Sequence, residues 1–179
     1  TLDRSMEFGG PGLASISMDE RATLCNMATE CSAKTGICDP DQLTIDWLLE
    51  RRNDLNEEQI RDAFVFPDDD AIYHGGIHAI DLNKIRPMVA HPGNPDKGIP
   101  SDPTNGAYID EIGPVPIDIA YAGSCTAGKD DDFSYYAKGA TAARNAGLKV
   151  ADGVECYIQF GSGSVKELSE RMGWTALFK

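Results

Sequence analysis

What most limits the architecture open to this chain is a pattern that runs twice through residues 117–179: an apolar strand, a glycine turn and a helix. Ile117-Asp118-Ile119-Ala120-Tyr121-Ala122 reads as a strand and Gly123-Ser124-Cys125-Thr126-Ala127-Gly128 as its turn. A helix from Asp130 to Asn145 follows, closed by Gly147 as a C-cap. Val154 to Phe160 is the next strand, Gly161-Ser162-Gly163-Ser164 its turn, and a last helix starts near Val165. Strands and helices that alternate through tight turns build a layer of parallel strands with helices packed on it. Phe133, Tyr136, Ala137 and Ala140 recur at helical spacing and give the first of these helices a narrow packing face. An α/β fold is expected, with three-layer αβα domains, one nearly complete and one partial.

The preceding residues carry the other domain. Ser5-Met6-Glu7-Phe8 reads as a short strand running into Gly9-Gly10-Pro11-Gly12. Ser17 with Glu20 three residues later is a capping-box signature, which predicts a helix from Met18 to Lys34 that stops at Gly36. Asp39-Pro40 and Asn56 offer two further helix starts. Ala71 to Leu82 is rich in β-branched and aromatic residues and reads as a strand, bent or bulged at Gly75-Gly76. Pro87, Pro92, Pro95, Pro100, Pro103, Pro114 and Pro116 then discourage regular structure and predict an extended connection. The expected organisation is an α/β domain over 1–90, a proline-rich connection over 91–116 and a partial α/β domain over 117–179.

A net charge of −13 disfavours nucleic acid and anionic membranes as partners, because phosphate is gripped by clustered Lys and Arg. No apolar run approaches the roughly 18 residues of a membrane span. Thr1-Leu2-Asp3-Arg4 lacks the layout of a signal peptide, so a cytoplasmic protein or a cut piece of one is expected. Cys25, Cys31, Cys38, Cys125 and Cys156 are odd in number and irregularly spaced, mostly among apolar residues, which suits a reducing compartment. Cys156 is expected to pack inside a strand as a small apolar residue. His74 and His78 share a strand face in this reading; these two and His91 are assigned structural roles.

Ligands of open α/β sheets gather beyond the carboxyl ends of the strands, where Cys125 lies. A helix N-terminus lowers a thiol's pKa, whereas Asp130, Asp131 and Asp132 oppose thiolate formation, so the sequence leaves the net shift open. Read from its turn alone, Cys125 suits either a reactive thiolate or a small residue fitted into a tight turn. Asn26 and Glu30, four apart on the expected helix, share one face. They suit a common site, or equally a solvated residue and a partner for Lys34. Lys129 and Arg144 are candidates for a substrate carboxylate, or solvated surface cations. The turn 161–164 is a candidate anion cradle or a plain tight turn.

Gly123-Ser124-Cys125-Thr126, after an apolar strand and before acidic residues and a helix, resembles the Gly-Ser-Cys-Thr segment of the aconitase and isopropylmalate dehydratase superfamily. Glu7 to Gly12, Ser15-Ile16-Ser17-Met18 and Ala22 to Glu30 are similar to a second family segment in the correct order. Ile85-Arg86-Pro87, His91-Pro92, Pro95-Asp96 and Gly161 to Val165 continue the likeness over nearly the whole chain. The resemblance implies that Cys125, flanked by Ser124 and Thr126, ligates one iron of a [4Fe-4S] cluster, and that Asn26 and Glu30 approach the cluster and the substrate. It implies reversible hydration and dehydration of a 2-hydroxy di- or tricarboxylic acid, with an iron as Lewis acid. Ala127 stands where the family commonly has Asn, and the family's Cys-x-x-Cys has no counterpart here. The expectation is therefore an incomplete hydro-lyase, without a cluster of its own and completed by further segments or a small subunit. The rival reading is a non-catalytic accessory module that binds a carboxylate or phosphate.

Overall fold

Ser17 closes the expected capping box: its hydroxyl accepts from the Glu20 N–H, while the Glu20 carboxylate accepts from the Ser17 N–H at 2.8 Å. In this computed structural model, which describes residues 2–100 and 104–179, that cap opens helix α1, Met18–Met27. Thr1, Ser101, Asp102 and Pro103 lie outside the described residues, and with them the readings made of Thr1 and Pro103. Helix α1 stops earlier than its sequence predicts. Residues 28–32 coil through tight turns, with Ser32 in the left-handed region at φ 61°, and Ala28 and Ala33 are buried. The chain then forms strand β2, Thr35–Cys38, which pairs in parallel with β1, Ser5–Phe8. Parallel pairing and burial override the helical continuation to Lys34, and Gly36 permits it, since a Cβ there would lie 2.7 Å from the Cys25 Cα.

Helix α2, Gln42–Leu49, is capped by Asp41, two residues past the expected Asp39-Pro40 start. Helix α3, Glu57–Asp62, is capped by Asn56 as predicted. Their buried residues are Ile45 and Ile60. The expected strand over 71–82 is absent: the chain turns instead, and a 3-10 turn covers Leu82–Lys84. His74 and His78 therefore share no strand face. Ile72, Ile77 and Ile80 are exposed, so this segment lacks the packed surface that turns β propensity into a strand.

Residues 78–118 form a small compact unit of their own. Strands β3, Met88–Ala90, and β4, Gly106–Tyr108, pair antiparallel within it. Arg86 stacks 3.7 Å over the Tyr108 ring and bonds Asp110 and Glu111. The prolines sit outside these two strands, which explains why a hairpin survives in a stretch read as an extended connection.

The other unit joins residues 1–77 to 119–179, so the two ends of the chain form one body, where the sequence reading placed separate domains. Strand β5, Ile119–Gly123, pairs in parallel with β6, Glu155–Gln159, from Ile119↔Glu155 to Gly123↔Gln159. Between them run the short helix α4, Ser124–Ala127, and helix α5, Asp130–Asn145, whose bounds match the sequence reading. Helices α6, Gly163–Arg171, and α7, Trp174–Leu177, follow β6. The predicted face of α5 turns inward: Phe133 is fully buried, stacked on Phe160 at 4.9 Å and edge-on to Tyr136 and Phe178. The fold is α/β, with parallel pairs in this body.

Candidate functional site

At the carboxyl end of β5 the backbone must turn sharply. Gly123 has φ 116°, and a Cβ there would strike the Gln159 carbonyl on β6. Ser124 follows at φ 76°, a conformation that costs a non-glycine residue energy and recurs at functional turns. Gly128 ends the loop against the Ser124 carbonyl, and Gly161 lies so close that its N–H donates to the Gly128 carbonyl at 2.9 Å. The Tyr136 hydroxyl, in the second turn of α5, donates to the Ala127 carbonyl at 2.7 Å. The two glycine turns read separately in the sequence thus brace one another and fix the short helix that carries Cys125.

Helix α1 reaches this loop through a polar clamp. Lys129 Nζ donates to Thr23 Oγ1 at 2.8 Å, to the Thr126 carbonyl at 2.5 Å and to Asp132 at 3.1 Å. Thr23 Oγ1 also donates to the Thr126 carbonyl at 3.0 Å. The Ser17 hydroxyl donates to Asp131 at 2.6 Å, and the Asp131 N–H donates to Asp19 at 3.1 Å. Lys129 is consequently a structural bridge, mostly buried, and not the substrate-facing or solvated cation considered from the sequence. Arg144 is exposed in the last turn of α5.

This clamp brings two of the expected residues together. Asn26, at the end of α1, donates from Nδ2 to the Cys125 sulfur at 3.5 Å. That bond is the main reason the Cys125 thiol is held below its ordinary pKa; desolvation opposes it, and the backbone N–H groups of Cys125 and Thr126 together with Ser124 add to the lowering. Asp131 and Asp132 are engaged by Ser17 and Lys129, and no aspartate of α5 is among the main influences on the sulfur. Cys125 is exposed.

Glu30 is placed differently from its expectation. It lies in the turns beyond α1, exposed, so it and Asn26 share no helical face. Lys34, its alternative partner, approaches Asp3 at 3.4 Å. Ser124 and Thr126 flank Cys125 on α4. Cys156 is exposed on β6 and does not pack as an apolar residue; with Cys31 and Cys125 also exposed, the apolar surroundings expected of most cysteines do not hold.

A four-iron cluster is held by several thiolates. Among the described residues no group of three or more His, Cys, Asp and Glu is disposed to hold a metal ion. The site as described supplies one cysteine, its pKa lowered, which does not by itself fit a cluster.

Sequence reasoning missed a buried ion pair behind the site. Arg21 on α1 is 2% exposed; it grips both Asp41 oxygens at 2.9 and 2.6 Å and donates to the Leu13 and Ile16 carbonyls. Asp41, which also caps α2, is held below the usual carboxylate range chiefly by this guanidinium. No helix among the described residues is long and apolar enough to cross a membrane.

A thiol on a braced glycine loop beside a helix-end asparagine, in an α/β body, coincides with a family match over the whole sequence. The aconitase (aconitate hydratase) family model matches residues 1–179, and the chain belongs to that family. Within it, the chain is similar to proteins named 3-isopropylmalate dehydratase large subunit. That of Caldicellulosiruptor saccharolyticus is 33% identical over 178 residues, covering 99% of this chain and 37% of its own length. The Aquifex aeolicus protein is 33% identical, covering 99% and 38%. The Clostridium kluyveri protein is 41% identical over 138 residues, covering 76% and 29%. The matched stretches thus span between 29% and 38% of the length of these relatives.

Proposed function

We propose that the chain is part of the large subunit of an iron-sulfur hydro-lyase that reversibly removes and adds water on a 2-hydroxy di- or tricarboxylic acid, with 3-isopropylmalate as the leading substrate. The observation that carries this reading is the 3.5 Å contact between Asn26 Nδ2 and an exposed Cys125 sulfur, made across 99 residues of sequence. An amide donor at the sulfur stabilises the thiolate, the form that binds iron. Cys125 is the cluster ligand in this reading, with Ser124 and Thr126 beside it. Asn26 orients the sulfur, and Glu30, on the adjoining turn, faces substrate or water. The remaining thiolates of a [4Fe-4S] cluster come from parts of the protein outside this chain, where residues 117–179 continue into a larger cluster-binding domain. A small subunit completes the enzyme, as the name of the relatives suggests.

The accessory-module reading finds less support. The Gly161 N–H is spent on Gly128, the Val165 N–H on the Ser162 hydroxyl at 3.3 Å, and the Ser162 and Ser164 hydroxyls bond each other, so part of this turn's hydrogen-bonding capacity is already used. The test is turnover by the complete enzyme, reconstituted anaerobically with iron and sulfide. Formation of the unsaturated acid from 3-isopropylmalate supports the proposal, and turnover of citrate alone moves the substrate to the tricarboxylic branch. A complete protein that binds its cluster yet dehydrates no hydroxy acid would overturn it.

A further inference from the structure

Behind the face that carries Asn26, helix α1 and strand β2 hold two sulfurs together. Cys25 Sγ lies 3.7 Å from Cys38 Sγ, and both residues are half-buried in the wall of a pocket of about 310 Å³ lined also by Met18, Arg21 and Pro40. Their closeness is built into the fold. Gly36 lets β2 approach the Cys25 backbone, with the site of a missing Cβ 2.9 Å from the Cys25 carbonyl oxygen, and the pairing of Cys38 with Phe8 fixes the far sulfur. A disulfide bond is about 2.05 Å long, so closure asks the two sulfurs to approach by less than about 2 Å.

We infer that Cys25 and Cys38 are a vicinal dithiol that a peroxide oxidises to a disulfide joining α1 to β2. Cys25 sulfur attacks the peroxide oxygen, the O–O bond breaks, and a Cys25 sulfenic acid and one water result. Cys38 sulfur then attacks the Cys25 sulfur, forms the S–S bond and displaces hydroxide, which leaves as the second water with the Cys38 proton. Two thiols are oxidised by two electrons and one hydrogen peroxide is reduced to two waters. The order of the steps follows from the environment. Burial, then the hydrogen bond with Cys25, pushes the Cys38 thiol up to about 12, which makes Cys38 a poor first nucleophile. Once the Cys25 sulfur is oxidised, its own contribution to that rise is removed. The inference does not rest on the hydro-lyase reading, although the linkage forms one residue from Asn26.

Peptide mapping after mild hydrogen peroxide treatment of the reduced protein tests it. Trypsin cuts after Lys34, separating Cys25 from Cys38, and fragmentation distinguishes Cys25 from Cys31 in the first peptide. The expected product is a linked peptide pair, an intact mass two hydrogens lower, and a melting midpoint raised by roughly 5–10 °C. Cys38→Ser should stop at the Cys25 sulfenic acid with no such rise. Phenylarsine oxide provides a second reading on the unmodified sequence: it condenses with two neighbouring thiols, losing water, and should protect Cys25 and Cys38 together from iodoacetamide. Peroxide treatment that leaves both residues open to alkylation, or links Cys25 to another cysteine, overturns the inference, as does failure of the arsenical to protect the pair.

Discussion

The amide of Asn26 is the largest influence on the Cys125 thiol, and its removal has a defined consequence. Asn26→Ala takes away the donor to the sulfur, so the midpoint of Cys125 alkylation by iodoacetamide should move to higher pH while the fold persists. An unchanged midpoint would mean that the backbone donors of α4 suffice. At Arg21 the stakes are stability. Asp41→Asn leaves a guanidinium that is 2% exposed without its counter-charge, and the loss should be about 3 kcal/mol near neutral pH by urea unfolding. Because the folded protein holds Asp41 below its unfolded pKa, its contribution is complete above about pH 4 and fades as pH falls through the folded value. The deficit of the variant should shrink in acid accordingly. The closeness of Asn26 to Cys125 was hinted at by two short motifs, although the sequence placed Asn26 inside a longer helix and the structure puts it in the last turn of α1. The Arg21–Asp41 pair was not, since its partners are 20 residues apart and only burial reveals the bond.

The strand–loop–helix element around Cys125 depends on backbone approaches that glycine alone permits. Gly123→Ala would place a methyl group against the Gln159 carbonyl in a left-handed conformation, and should cost at least about 3 kcal/mol or prevent folding. Gly139→Ala, on the open side of α5 where an added Cβ meets nothing within 4 Å, is the control and should be neutral or slightly stabilising. Comparing the two urea midpoints checks this, and equal midpoints would contradict the bracing described. Local signals identified α5 to the residue and β5 and β6 nearly so, because alternating apolar strands and capped helices are short-range patterns. Strand β2 escaped notice since Thr35-Gly36-Ile37-Cys38 becomes a strand only by pairing with β1. The reverse error, a strand read over 71–82, arose from β-branched residues that find no surface to cover. Glu30 moved off the helix for the same long-range reason, the early end of α1 that frees residues for β2.

At the scale of the molecule, residues 119–179 fold against residues 1–77, an association that no local pattern announced. The polar clamp of Ser17, Asp19, Thr23 and Lys129 accounts for it in part. Lys129→Met should loosen α1 from the Cys125 loop, raising backbone amide exchange at residues 124–128 more than in α5. Uniform exchange in the variant would show that the clamp is dispensable. On the proposed reading the chain contributes one cysteine, Cys125, of the several that a cluster needs, so by itself it should take up negligible iron and sulfide and show negligible turnover. The measurement that bears most directly on the central claim is iron content after anaerobic reconstitution of the complete enzyme, with Cys125 and with Cys125→Ser. About four irons per large subunit in the first and loss of the cluster with its activity in the second is the predicted result. A Cys125→Ser enzyme that retains a full cluster and normal turnover would contradict the account.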